Sequence, residues 1–190
     1  MTRETPLHAV HERLGASFTD FAGYQMPVRY SSDLAEHHAV RQGAGLFDLS
    51  HMAEIECEGP GVEAFLDYAL SNSLSALVDG QAKYSLLLAE DGGVIDDLIV
   101  YRLGEHKYLI VANASNRDAA VEAMQARSAG FDVQVSDTSD EWALIALQGP
   151  LAAGILEASP ITLESPLAEL RYYRIVGGAF CAEPVLVARP

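Results

Sequence analysis

The hydrophobic pattern in the middle of the chain predicts a β-hairpin. Apolar β-forming residues fill positions 84–88 and 94–101, and Asp91-Gly92-Gly93 between them tolerates the positive φ angles of a tight turn. Asp97 lies inside the second run, where an aspartate is disfavoured and so needs a reason. Because side chains alternate along a strand, Asp97 and Tyr101 face the same way.

The turn decides which residues lie opposite each other in this hairpin. A two-residue loop at Gly92-Gly93 puts Tyr84 opposite Tyr101, whereas a loop at Asp91-Gly92 puts Tyr84 opposite Ile99. Tyr84, Asp97 and Tyr101 share a face in both registers, and only a three-residue loop without a bulge would separate them. This composition is typical of a pocket for a flat aromatic ligand with polar edges. A solvated aspartate at the sheet rim, beside ordinary core tyrosines, is the alternative interpretation.

The chain then turns at residues 104–106 and returns as a predicted strand over residues 107–113. A three-residue loop there would set Asn113 opposite Asp97, and a two-residue loop would turn Asn113 away. The first of these would add an amide to the same patch.

The remaining pattern predicts an α+β fold with antiparallel sheets flanked by helices. Asp33 is the expected N-cap of a helix, with Glu36 at its third position as in a capping box. Strand and helix patterns alternate around the hairpin in the order of a split β-α-β unit. Elements predicted outside the hairpin are a helix, strand and loop in 5–30, helices at 62–70, 118–126 and 151–156, and strands at 131–135, 142–147, 172–176 and 185–187.

Composition narrows the function. With 49% hydrophobic residues the 190-residue chain is typical of a globular protein, and its net charge of −15 argues against a nucleic-acid binder. Cys57 and Cys181 stand far apart, which indicates neither a zinc site nor a disulfide framework. The first residues do not resemble a signal peptide, and no apolar run approaches the roughly 20 residues of a membrane span. We therefore expect a cytoplasmic protein without a metal.

An ordered set of short motifs carries a family resemblance. The sequence resembles the T-protein of the glycine cleavage system, a folate-dependent aminomethyltransferase. The match runs along nearly the whole chain and includes Thr5-Pro6-Leu7-His8, Asp20-Phe21-Ala22-Gly23, Gly45-Leu46-Phe47-Asp48, Ser50-His51-Met52, Gly80-Gln81-Ala82, Gly92-Gly93-Val94-Ile95-Asp96-Asp97, Asn113-Ala114, Asn116-Arg117 and Gln148-Gly149-Pro150.

The resemblance implies a reaction and the residues that support it. A one-carbon unit would pass from the aminomethyl-lipoyl arm of H-protein to the co-substrate tetrahydrofolate, with release of ammonia. Asp97 would be the catalytic carboxylate beside the folate. The other folate contacts would be Tyr84, Tyr101, Asn113, Met52 and Tyr172.

The resemblance also implies a division into domains. T-proteins are about twice as long as this chain, so we expect a truncated T-protein-like fold. Residues 1–51 and 148–190 would form an incomplete first domain, and residues 52–147 a complete ferredoxin-like second domain. Uncovered apolar faces in the first domain would favour self-association. A non-catalytic folate-binding module of the iron–sulfur maturation type and a folate-dependent demethylase are the competing functions.

Overall fold

The computed structural model describes residues 2–190 and shows an α+β fold, as the sequence predicts. The helices are α1 His8–Arg13, α2 Asp33–Gln42, α3 Val62–Ala69, α4 Arg117–Arg127 and α5 Ala152–Glu157. The strands are β1 Ser17–Phe21, β2 Tyr24–Arg29, β3 Gly45–Asp48, β4 Ala53–Glu58, β5 Ala82–Leu88, β6 Val94–Gly104, β7 Lys107–Ala112, β8 Gln134–Asp137, β9 Ile145–Gln148, β10 Thr162–Leu163, β11 Arg174–Phe180 and β12 Glu183–Arg189.

The chain divides into two compact units. The first unit comprises the residues up to His51 together with Glu141–Ser159, and the second comprises Met52–Asp140 and Pro160–Pro190. The predicted first domain included residues 148–190, but the structure groups residues 160–190 with the second unit. The reason is backbone pairing, because Ala82 donates to the carbonyl of Tyr173 at 2.9 Å and Ile175 donates to the carbonyl of Gly80 at 2.9 Å.

The predicted boundary before residue 148 also differs from the structure. Residues 142–147 were expected to form a strand of the second domain, yet β9 pairs antiparallel with β3 of the first unit, with Asp48 opposite Ile145. Backbone hydrogen bonding within this pair, and not its place in the sequence, decides the unit to which β9 belongs.

A five-stranded antiparallel sheet organises the second unit. Its strand order is β5-β6-β7-β4-β8, and the elements β4, α3, β6, β7, α4 and β8 form the predicted ferredoxin-like arrangement, with β5 added at the edge. α3 and α4 cover one face and enclose the main core. That core includes Ile55, Val62, Phe65, Leu66, Leu87, Leu98, Val100, Tyr108, Ile110, Ala120 and Met124.

The β5–β6 hairpin adopts the second of the two predicted registers. Tyr84 lies opposite Ile99 and Leu86 opposite Asp97, with a register shift beside Leu88. Ala89 N donates to Gly93 O at 2.7 Å, so the turn itself holds three residues. The bulge restores the register that this loop would otherwise break.

A second bulge brings Asn113 level with Asp97. The β6–β7 turn holds two residues, Glu105 and His106, because Gly104 pairs with Lys107, so it is the shorter of the two loops considered, which was expected to turn Asn113 away. A register shift between Arg102 and Gly104 compensates, so that Tyr101 lies opposite Leu109. Continued along both strands, this register sets Asn113 opposite Asp97.

The other face of the sheet carries a smaller apolar cluster. Tyr101 is buried there with Ala82, Leu109 and Ile175, and Tyr173, Leu186 and neighbouring side chains pack against them. β11 supplies Ile175, β12 supplies Leu186, and Tyr173 directly precedes β11, so the C-terminal hairpin helps to form the face that contains Asp97.

The first unit is built from small pieces. β1 and β2 form a hairpin, where the sequence predicted only one strand, and α2 precedes the β3–β9 pair. The N-cap of α2 is Ser32 and not Asp33, because the Ser32 hydroxyl accepts from Ala35 N. Glu36 instead accepts hydrogen bonds from the N–H groups of Tyr30 and Ser31 at 2.8 and 2.7 Å.

Within residues 2–190, no helix is long and apolar enough to cross a membrane.

Candidate functional site

The carboxylate of Asp97 is exposed, and two neighbouring side chains hold it. Tyr84 Oη donates to Asp97 Oδ2 at 3.2 Å, and Asn113 Nδ2 donates to Oδ1 at 3.1 Å. A carboxylate has about four acceptor positions. Each oxygen of Asp97 therefore has one protein donor and keeps capacity for a ligand N–H group. The structure thus brings together three of the predicted site residues.

Tyr84 contributes a hydroxyl donor and an accessible ring. Its side chain stands at the edge strand and is 44% exposed. Partial burial and the negative charge of Asp97 raise the pKa of Tyr84 above its ordinary value. The phenol consequently stays protonated near neutral pH and can continue to donate to Asp97.

Tyr101 lies on the same face but beneath the surface. It is 6% exposed and packs in the cluster with Leu109 and Ile175. Burial raises its pKa to about 12, with a smaller contribution from Tyr173. Tyr101 can therefore form part of the floor of a ligand site, whereas Tyr84 forms its wall.

Tyr173, which adjoins the predicted folate contact Tyr172, packs against the cluster on this face. Tyr173 packs in the cluster with Tyr101 and acts electrostatically on both Tyr84 and Tyr101. Tyr172 is 68% exposed, and its ring stands edge-on to Tyr173 with centroids 4.7 Å apart. The backbone of Tyr173 has a φ of 55°, which breaks the alternation of a strand. Sequence periodicity could not reveal this.

Met52 lies on the same side of the sheet as Asn113. β4 pairs with β7 so that Ala53 is opposite Ala112. One further residue along this register sets Met52 beside Asn113, which itself is level with Asp97. Met52 is half-buried, so its thioether can contact a ligand on this face.

Glu54 is a second acidic residue on this face, and sequence reasoning missed it. It is opposite Val111, which is opposite Ile99, and it is only 3% exposed. Within residues 2–190, no donor reaches either carboxyl oxygen. Burial raises the pKa of Glu54 to about 7, and Asp137 adds to this while Arg117 opposes it. The alternation of Ala53, Glu54 and Ile55 along a strand was the sequence signal that could have placed Glu54 on this face.

Two other features fall outside this site. A hollow of about 530 Å³ is lined by residues of α3, α4 and the β5–β6 hairpin, among them Tyr68, Leu88 and Arg127. It does not include Asp97, which faces away from the helices. Among residues 2–190, no group of three or more His, Cys, Asp or Glu side chains could hold a metal ion.

Comparisons with known proteins converge on one family. The family model described as the GCVT N-terminal domain matches residues 7–190. Proteins named aminomethyltransferase from Cutibacterium acnes and Corynebacterium jeikeium are 56% and 50% identical, each over 98% of this chain and about half of the relative. The chain therefore spans about half the length of the curated relatives it matches.

Solved structures agree on the fold. The crystal structure of glycine cleavage system aminomethyltransferase T from Bartonella henselae has a TM-score of 0.86 and 42% identity, covering 92% of this chain and 47% of that chain. Heterotetrameric sarcosine oxidase from Corynebacterium sp. U-96 has a TM-score of 0.62 at 17% identity, covering 98% of this chain and 81% of that chain. The second likeness concerns the fold alone.

Proposed function

This chain belongs to the GCVT N-terminal domain family, and from that membership we propose that it acts in aminomethyl transfer to tetrahydrofolate. The one-carbon unit would come from the aminomethyl-lipoyl arm of H-protein in the glycine cleavage system. Relatives named aminomethyltransferase at 56% and 50% identity support this proposal over the folate-binding module and the demethylase.

The observation that carries the proposal is the Asp97 carboxylate. It is exposed beside an apolar and aromatic cluster on the same sheet face, and Tyr84 and Asn113 fix one oxygen each. A fixed carboxylate needs little reorganisation when positive charge develops beside it, which is the condition for effective electrostatic stabilisation. Tyr84 and Tyr173 supply aromatic surface for the flat ring system of the folate.

In the proposed reaction Asp97 acts on the nitrogen that accepts the carbon. The carboxylate accepts a hydrogen bond from a folate N–H group and so orients that nitrogen. As the carbon of the aminomethyl group bonds to one folate nitrogen, its bond to the amine nitrogen breaks and ammonia leaves with the proton of that folate N–H group. As the carbon bonds to a second folate nitrogen, its bond to the lipoyl sulfur breaks, and the second folate proton leaves with the dihydrolipoyl thiol. The iminium-like carbon carries positive charge at this stage, and Asp97 stabilises it. Met52 and Tyr101 would line the face without taking part in proton transfer.

The test compares Asp97→Asn with a matched control, Asp132→Asn. Asp132 is an exposed aspartate in the loop before β8, so its replacement makes the same chemical change away from the site. The assay supplies aminomethylated H-protein and tetrahydrofolate to the 190-residue chain and measures methylene-tetrahydrofolate and ammonia. We expect Asp97→Asn to lower the rate by about 10²- to 10³-fold, the scale of losing one such electrostatic contact.

The control should retain the rate of the unmodified chain within about twofold, since surface substitutions of this kind are near neutral. A normal rate in Asp97→Asn would contradict the proposed role of this carboxylate. Equal losses in both variants would show that the effect arises from net charge and not from the site.

A further inference from the structure

Asp96 is buried in the same strand as Asp97 but on the opposite face. It is 2% exposed and shares the helix-covered side of β6 with Leu98 and Val100. A carboxylate in such a place is costly unless hydrogen bonds replace its lost hydration. An ordinary core position would hold an apolar residue, so Asp96 needs an explanation beyond packing.

Amide groups satisfy the Asp96 carboxylate. Asn113 N donates to Oδ2 at 2.9 Å, Asn113 Nδ2 donates to Oδ1 at 2.9 Å, and Asn116 Nδ2 donates to Oδ1 at 2.6 Å. A carboxylate at this position can only accept hydrogen bonds. The Asp96 carboxylate therefore fixes the orientation of the Asn113 side-chain amide. The NH₂ group of that amide must face Asp96, because its oxygen is not a donor.

The same NH₂ group also reaches Asp97. Asn113 Nδ2 lies 2.9 Å from the carbonyl oxygen of Asp97 and 3.1 Å from its Oδ1. One hydrogen of the group serves Asp96, and the other is directed to the two acceptors of Asp97. The Asn113 amide is thus a bridge between a buried carboxylate and an exposed one.

We propose that Asp96 is a positioning residue of the tetrahydrofolate site, which acts through Asn113 to hold Asp97 in its binding geometry. The inference rests on the proposed function and extends it to a residue on the far face of the sheet. Asp96 touches no ligand in this account. Its effect is to keep the donor end of Asn113 turned toward Asp97.

Replacement of Asp96 by asparagine would reverse this arrangement. The new side chain carries one donor group, which favours turning the Asn113 oxygen toward it. The Asn113 amide would then present its oxygen, and not its NH₂ group, on the side of Asp97 Oδ1. Two acceptors would face each other there, and Asp97 would lose one of its two side-chain donors. We expect tetrahydrofolate binding to weaken by about tenfold or more, the scale of an unmade hydrogen bond to a charged group.

A double-mutant cycle tests the link between the two carboxylates. The variants are Asp96→Asn, Asp97→Asn and the double variant, each titrated with tetrahydrofolate by calorimetry on the full chain. If Asp96 acts through Asp97, its substitution should change the dissociation constant by less than about threefold once Asp97 is already asparagine. A merely structural role would give the same loss in both backgrounds.

Val100→Ala is the control for general destabilisation. Val100 is on the same strand and face as Asp96 and is fully buried, yet it makes no hydrogen bond to Asn113 through its side chain. This variant should unfold at lower urea concentration and still bind tetrahydrofolate within about twofold of the unmodified chain. If Asp96→Asn does not fold, Asn113→Ala takes its place in the cycle, because it removes the same bridge at the amide.

The outcomes separate the two proposals. Unchanged affinity in Asp97→Asn would overturn the proposed site itself. Weakened binding in Asp97→Asn, combined with unchanged affinity in Asp96→Asn or an equal loss in both backgrounds, would overturn the positioning role and leave the proposed function in place.

Discussion

The two units of this chain are stabilised by different kinds of interaction. The second unit buries a continuous apolar core between its sheet and α3 and α4, including Phe65, Leu66 and Ile110 at 0% exposure. In the first unit, many of the buried side chains are polar. Its buried residues include Thr5, His11, Tyr24, Met26, Ser50 and His51.

A hydrogen-bond network around Asp48 holds the first unit. Thr5 Oγ1 and His11 Nε2 lie 2.6 and 2.9 Å from Asp48 Oδ2, and Ser50 N donates to Oδ1 at 2.9 Å. Tyr30 Oη extends the network to His11 Nδ1 at 2.6 Å. Such a network depends on charge and geometry, whereas apolar burial is non-directional. The second unit, which has the apolar core, is therefore the firmer of the two.

The largest expected effect on stability comes from removing apolar volume in the core of the second unit. Phe65→Ala should lower the free energy of unfolding by about 3–5 kcal/mol, because it leaves a cavity among fully buried neighbours. Leu34→Ala in the first unit, where the side chain is 66% exposed, should change it by less than about 0.5 kcal/mol. Urea unfolding followed by circular dichroism checks both, and equal effects would contradict the comparison.

Glu54 gives the second unit an unusual pH dependence. Its pKa is raised from 4.5 to about 7 by burial, with Asp137 adding and Arg117 opposing. The folded state therefore binds the proton more tightly than the unfolded state between these pH values. Stability should fall by up to about 3 kcal/mol as the pH rises from about 4.5 to 7, and then level off. Urea unfolding across this pH range gives the free energy of unfolding of Glu54→Gln and of the unmodified chain. The difference between the two values isolates the contribution of the Glu54 proton. A pH-independent difference would contradict it.

Asp48 should give the first unit the opposite pH dependence. Burial alone would raise the pKa of Asp48, but hydrogen bonds from Thr5, His11 and Ser50 outweigh it and hold the pKa below its ordinary value. The stabilisation is present above the unfolded pKa and is lost as the pH falls through the folded one. Asp48→Asn should cost about 1–3 kcal/mol at neutral pH. Hydrogen exchange of backbone amides in the first unit measures this loss of stability. Asp33→Asn is the matched control, because Asp33 is an exposed aspartate in the same unit.

The smallest expected effect distinguishes two adjacent tyrosines. Tyr173→Ala should weaken tetrahydrofolate binding by about 1 kcal/mol, borrowing the lower end of the scale for stacking on an aromatic ring. Tyr172→Ala should weaken binding less, because that side chain is 68% exposed and is not among the side chains that pack in the cluster. Titration calorimetry on both variants decides between them. A larger loss in Tyr172→Ala would contradict this expectation and support Tyr172, the folate contact that the resemblance implies.

The sequence predicted the orientation of side chains on the hairpin well, because strand periodicity is a local property. Tyr84, Asp97 and Tyr101 share a face as expected, since alternation and the glycine turn leave few registers. The sequence allowed a bulge in the first hairpin, but it could not locate the bulges beside Leu88 and Arg102, because a bulge depends on pairing across strands. Tyr173 was not singled out from the sequence, because its residue type does not signal a positive φ.

Alternation along β4 could place Glu54 on the face of Asp97, but it could not reveal that the carboxyl is buried with no hydrogen-bond donor among residues 2–190. In a strand whose apolar and polar positions alternate, Glu54 would be expected to face solvent. The structure instead buries its side chain. The boundary at residue 160 depended on pairing between β11 and the edge of the main sheet, which spacing along the chain does not reveal. Self-association and the assignment of the ligand residues stay predictions.

Hydrogen exchange with and without tetrahydrofolate tests the central claim most directly. The claim is that the sheet of the second unit presents the folate face through Asp97, Tyr84 and Asn113. We expect saturating tetrahydrofolate to slow exchange in peptides from β5, β6 and the residues that follow β7, and Asp97→Asn to abolish most of this protection. Unchanged exchange in these peptides at saturating tetrahydrofolate, or the same protection in Asp97→Asn, would contradict the account.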